Sequence, residues 1–153
     1  MPRYYFDSSA LAKLYHAEAG STVVESLLLE PGREIYISRL SVVELNSVVA
    51  LRVRARVITS EQAEVLRDRF DGDLADGDFE LVVVTSDHFA EAERLIRTFG
   101  ASHGLRTLDA LQLAVALSLR RGGFIEHLVA ADKVLCKVAT AEGLAVIDPE
   151  AAS

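Results

Sequence analysis

RYYFDSSALAKLY, residues 3–15, changes its period in mid-course, and the reading of the fold turns on that change. Tyr4, Tyr5 and Phe6 read as a short buried strand, whereas Ala10, Leu11, Leu14 and Tyr15 fall at helical spacing. Asp7 stands at the seam, with Ser8 or Ser9 able to cap the helix that follows. In open α/β sheets ligands bind beyond the carboxyl ends of the strands, so an acid there is well placed for metal. The same residue also serves as a plain helix cap, and the local sequence leaves both readings open.

Working outward, the pattern repeats. Gly20 divides the region after Asp7 into two short helices, and Pro31 and Gly32 return the chain to a strand at Ile35–Ile37. A helix of roughly 18 residues opens at Ser38, with Val42, Leu45, Val49 and Val53 facing inward. Thr59 or Ser60 caps the next helix. Leu81–Val84 reads as a strand, Phe89–Phe99 as a helix, and Gly100 and Gly104 as brackets of a loop holding His103. With Thr107 as cap, an apolar helix runs through Leu111, Leu113, Ala114 and Leu117, followed by a strand over 125–130, a helix from Asp132 and a last strand over 144–147. Short strands alternating with longer helices predict an α/β fold: one domain over residues 1–153, three layers (α/β/α) around a mostly parallel sheet.

A chain of 153 residues is long enough for a continuous core. Its single cysteine, Cys136, excludes an internal disulfide framework and any cysteine-based zinc site, and His16, His88, His103 and His127 lack zinc spacing. The longest apolar runs fall well short of the roughly 20 residues that span a bilayer, so the expectation is a soluble, cytoplasmic protein without a membrane partner. With 16 basic against 23 acidic residues the formal charge is -7, which argues against nucleic-acid affinity from the whole surface but not against a local phosphate track.

Three further acids stand near strand ends or in early helical turns. Glu44, in SVVELNSVV, either closes a capping box with Ser41 or lies in the second turn of a helix capped by Ser38; the face formed by Val42, Leu45 and Val49 favours the Ser38 start. Asp109, in RTLDALQLA, introduces the most apolar helix of the chain, although first-turn acids are favourable in their own right. Asp132, in VAADKVL, is able to cap its own helix. Together with Asp7 these residues allow a carboxylate pocket at one edge of the sheet.

In order and spacing these motifs resemble the PIN-domain nucleases, and more narrowly the VapC-like ribonuclease toxins of type II toxin–antitoxin pairs. The resemblance runs from Tyr4 to Pro149 and falls on YFDSSALAKLY, SVVELNSV, LDALQLA and AADKVL. It implies a PIN-like fold and endoribonuclease activity that leaves 5'-phosphate and 3'-hydroxyl ends. It further implies a homodimer and an antitoxin partner. One departure stands out: where the family often carries Thr or Ser shortly before the last acid, this chain has Ala130 and Ala131.

On this reading Asp7, Glu44, Asp109 and Asp132 are the catalytic and metal-binding residues, holding one or two Mg²⁺ or Mn²⁺ ions, to which carboxylate oxygens are suited. Ser9 is a candidate for orienting a ligand. Arg52 and Arg56, one turn apart on the Glu44 helix, form a candidate RNA track, joined by Arg3, Lys13, Arg39 and Arg106 near the seams. The competing reading is a catalytically weak PIN-like module that binds RNA or protein. An aspartyl phosphatase or receiver domain accounts for neither Glu44 nor Asp109, and no Gly-rich phosphate loop is present.

Overall fold

The computed structural model describes residues 2–151. Alternation along the first strand, β1 (Arg3–Phe6), sets up its layers. Side chains of a strand point alternately to opposite faces. Accordingly Tyr4 and Phe6 pack with Leu11, Ile35, Ile37, Leu45 and Phe70, while Tyr5 packs with Leu95, Leu113, Leu128 and Leu135. Both faces of β1 are therefore apolar, and the strand has to lie at the centre of the sheet.

The remaining elements follow in order: α1 (Ser8–Ala12), α2 (Ser21–Leu28), β2 (Glu34–Ser38), α3 (Arg39–Arg54), α4 (Ser60–Ala75), β3 (Glu80–Val82), α5 (Ser86–His103), α6 (Thr107–Arg121), β4 (His127–Val129), α7 (Lys133–Ala141) and β5 (Ala145–Ile147). The five strands pair in parallel in the order β3-β2-β1-β4-β5. Buried residues of α1–α4 join the cluster under Tyr4 and Phe6, and those of α5–α7 join the cluster around Tyr5. Helices thus cover both faces, in the three-layer α/β/α arrangement expected from the alternation of elements. From β1 the chain winds outward to β3, then returns across the sheet to β4 on the other side of β1. The winding direction reverses between β1 and β4, and the carboxyl ends of those two strands flank the crevice where such sheets accept ligands.

Local chemistry explains most boundaries. Ser38 caps α3, its Oγ accepting from the Ser41 amide at 3.2 Å, so the helix starts where the Val42, Leu45 and Val49 stripe requires. Thr59 and Gln62 form a reciprocal capping box at the start of α4. One stretch departs from expectation: residues 100–103 are not a loop but the last turn of α5, which ends only at Gly104 in the left-handed conformation (φ 71°). Gly100 costs helix stability, and Phe99 beside it packs against the core cluster and edge-on to His103 across this turn. Thr107 is the first helical residue of α6, and the cap position falls to Arg106, which makes no side-chain capping bond. The strands over 81–84 and 125–130 are shorter than their apolar runs, with regular pairing confined to 80–82 and 127–129. No helix among the described residues is long and apolar enough to cross a membrane.

Candidate active site

Asp7 follows β1 directly and is 3% exposed. Its Oδ1 accepts from the Ala10 amide at 2.9 Å and from Ser9 Oγ at 2.6 Å, so the side chain both caps α1 and is held by a hydroxyl. Ser9 Oγ also accepts from the Ala131 amide at 3.1 Å. One serine therefore ties the end of β1 to the loop leaving β4. The contact uses the main-chain N–H of residue 131, which alanine supplies as well as threonine would, and Ala130 is fully buried in the core.

Asp132 ends that loop as the cap of α7, its Oδ1 accepting from the Leu135 amide at 2.8 Å. Asp109 lies in the first turn of α6, and Glu44 lies in the second turn of α3. Glu44 Oε1 accepts from Gln112 Nε2 at 2.8 Å.

Asp7 and Asp109 respond to burial and to the charges of the other acids. Burial pushes Asp7 up to about 7 against the pull of its bonds to Ser9 and Ala10, and the charges of Asp109 and Glu44 add to the rise. Asp109 rises to about 6 through burial and then the charge of Asp132, opposed by Arg106 and reinforced by Glu44. Repulsion of this kind is what a bound cation relieves.

Even so, no group of three or more His, Cys, Asp or Glu side chains among the described residues is drawn together closely enough to hold a metal ion. Three of the four carboxylates, those of Asp7, Glu44 and Asp132, are turned instead to an internal hydrogen-bond partner. The hydrogen bonds to Asp7 and Asp132 fall on Oδ1 and that to Glu44 on Oε1, which leaves a second oxygen on each outside those bonds. An all-oxygen, anionic donor set at a topological switch point fits Mg²⁺ or Mn²⁺ and does not fit a soft metal.

The basic candidates scatter. Arg106 is near the acids: its guanidinium lies 3.8 Å from Asp109 Oδ2 and 3.9 Å from Asp132 Oδ2 while remaining 79% exposed. Arg39 begins α3 beside the Ser38 cap and is exposed. Lys13 is 4% exposed, its Nζ between Glu18 at 3.1 Å and Glu150 at 3.2 Å, and Arg52 reaches Glu18 at 3.0 Å. Two residues are placed otherwise than their position in the chain implied. Arg3 occupies the amino end of β1, opposite Asp7, and donates to the Gly123 carbonyl. Arg56 is not on the Glu44 helix, because α3 ends at Arg54 and Arg56 turns away in the left-handed region (φ 59°).

Sequence reasoning passed over Gln112, which is 1% exposed. Its Oε1 accepts from the Tyr5 hydroxyl and, at 3.4 Å, from Ser38 Oγ; its Nε2 donates to Ser41 Oγ at 2.9 Å and to Glu44. The available signal was a lone amide in the run ALQLAVA, one turn after Asp109.

A parallel sheet wound in both directions from its central strand, with acids following β1 and β4, defines an α/β domain that carries acids at the switch point of its sheet. The family described as PIN domain matches residues 4–141, and the chain belongs to it, within the VapC-type branch of toxin–antitoxin ribonucleases. Ribonuclease VapC45 of Mycobacterium tuberculosis is 33% identical over 126 residues, which cover 82% of each chain. Solved structures share the fold, two of them as follows. The M. tuberculosis toxin VapC20, described as cleaving the sarcin–ricin loop, superposes with a TM-score of 0.67 at 18% identity over 95% of this chain and 99% of its own. A toxin–antitoxin complex from Klebsiella pneumoniae superposes with a TM-score of 0.58 at 19% identity over 95% of this chain and 97% of its own.

Proposed function

We propose that this chain is the toxin of a toxin–antitoxin pair and a Mg²⁺- or Mn²⁺-dependent endoribonuclease that hydrolyses RNA phosphodiester bonds. The observation that carries this reading is the position of Asp7 directly after β1 and of Asp132 at the end of the loop leaving β4, the two strands that flank the switch point, with Glu44 and Asp109 near enough for their charges to add to the burial that raises Asp7. Kinship to a ribonuclease at 33% identity supports the substrate class.

Asp7, Asp109 and Asp132 would hold the ion directly, with Glu44 binding it or orienting the attacking water. When bound, a divalent ion lowers the pKa of water and offsets charge on the phosphate. The protein's own contributions follow from its geometry. Ser9 keeps Asp7 and the β4–α7 loop in register, so two of the acids are presented together. Arg106, exposed and weakly engaged with the two aspartates, would be available to pair with an RNA phosphate. Arg39 is similarly exposed.

The second reading, a PIN-like module that binds RNA or protein without cutting, draws on the internal partners of the carboxylates. Incubation of a broad RNA pool with protein in Mg²⁺, Mn²⁺ or EDTA, followed by mapping of the ends, separates the two. Metal-dependent cuts bearing 5'-phosphates, lost in Asp7→Asn and Asp109→Asn while both variants stay folded, are the expected result. Binding without cleavage by wild type would leave the second reading standing. The toxin assignment carries an antitoxin and a homodimer with it, and light scattering of the purified chain that finds a monomer at all concentrations would remove the homodimer.

A further inference from the structure

Gln112 sits in the apolar centre of α6, where its neighbours Leu111, Leu113 and Ala114 are all core residues. A buried amide is costly unless satisfied, and this one has every capacity used: two N–H donors to Ser41 and Glu44, and a carbonyl accepting from Tyr5 and Ser38. Its orientation follows from the chemistry, because a flipped amide would set its oxygen against the Glu44 carboxylate, acceptor to acceptor. The bonds join β1, α3 and α6, the elements that carry or precede Asp7, Glu44 and Asp109. Glu44 is a flexible side chain on a helix face, and the Gln112 amide is the hydrogen-bond donor that reaches it.

We propose that Gln112 is the positioning residue for Glu44: the buried amide pins Oε1, which directs the remaining oxygen of the carboxylate toward the cation and water of the acidic crevice. This inference rests on the ribonuclease reading above. Hydrogen-bonded partners of ligating groups typically change metal affinity or activity 10–100-fold when removed.

The test compares wild type with Gln112→Leu, Gln112→Met and Tyr5→Phe. Tyr5→Phe removes the far side of the network and leaves the bond to Glu44 intact. Mn²⁺ affinity is read by electron paramagnetic resonance of the free ion, kcat and KM on an RNA oligonucleotide in Mg²⁺, and folding by thermal melts. Both Gln112 variants are expected to weaken Mn²⁺ binding about 10-fold and to lower kcat about 10–100-fold with KM held within about 3-fold. Tyr5→Phe is expected to melt earlier yet to keep Mn²⁺ affinity within about 3-fold, since only the carboxylate's own partner matters to the ion.

A folded Gln112 variant with wild-type affinity and kcat overturns the proposal, as do equal losses in Tyr5→Phe. If Gln112→Leu does not fold, Gln112→Met is read in its place, and failure of both assigns Gln112 to the core alone. Should wild type bind Mn²⁺ but cut no RNA, the ribonuclease reading falls and the Mn²⁺ comparison alone decides Gln112; should wild type bind no Mn²⁺, both fall.

Discussion

At Asp7 one buried carboxylate caps a helix, and burial pushes its pKa to about 7, whereas the unfolded chain titrates near 4. The folded carboxyl is the weaker acid, so ionising it opposes folding. The stabilising contribution is complete below about pH 4 and is lost as the pH rises through about 7. Asparagine caps as well as aspartate but has no proton to lose. In EDTA, Asp7→Asn is therefore expected to exceed wild type by on the order of 2–4 kcal/mol at pH 8 and to match it near pH 4, measured by urea denaturation at each pH. A difference that does not change with pH would exclude the raised pKa of Asp7. In Mg²⁺ the same variant is expected to cleave RNA at least about 100-fold more slowly, a loss of roughly 2.7 kcal/mol of transition-state stabilisation. Ser9→Ala removes two hydrogen bonds at once and is expected to cost about 1–3 kcal/mol, read from the same denaturation curves.

At the scale of elements, helix starts were legible where a short polar side chain meets an apolar stripe. Ser38 and Thr59 announced α3 and α4 because capping is local chemistry. The end of α5 was not legible, since Gly100 reads as a break, whereas the helix runs on through it, with Phe99 packed against the core and edge-on to His103, and stops only at Gly104. Gly20 shows the opposite dependence. Its φ of 86° favours glycine, and a Cβ there would lie 3.0 Å from the Pro149 carbonyl, at the far end of the chain. Gly20→Ala is expected to destabilise by about 1–3 kcal/mol in chemical denaturation, through backbone strain and displacement of the terminal segment together. An effect below about 0.5 kcal/mol would show that the segment yields freely.

For the molecule as a whole, a cation bound by the folded state but not the unfolded chain raises stability in proportion to the logarithm of its concentration, about 2.7 kcal/mol at 100 times Kd. Mg²⁺ or Mn²⁺ is expected to raise the Tm of wild type, EDTA to reverse the rise, and Asp109→Asn combined with Asp132→Asn to abolish it, all by calorimetry. The acids that would take part come from positions 7, 44, 109 and 132, and it is the β3-β2-β1-β4-β5 order that sets side by side the two strands that Asp7 and Asp132 follow. Period and capping along the chain determined the α/β class, the start of α3 at Ser38 and the candidacy of the four acids, because these depend on neighbours a few residues away. Tertiary structure alone decided that Arg3 donates to the Gly123 carbonyl, that Lys13 is enclosed by Glu18 and Glu150, and that Gln112 reaches Glu44. Those facts arise from strand order and helix docking, which bring together residues as far apart as 44 and 112, and no local pattern encodes that distance.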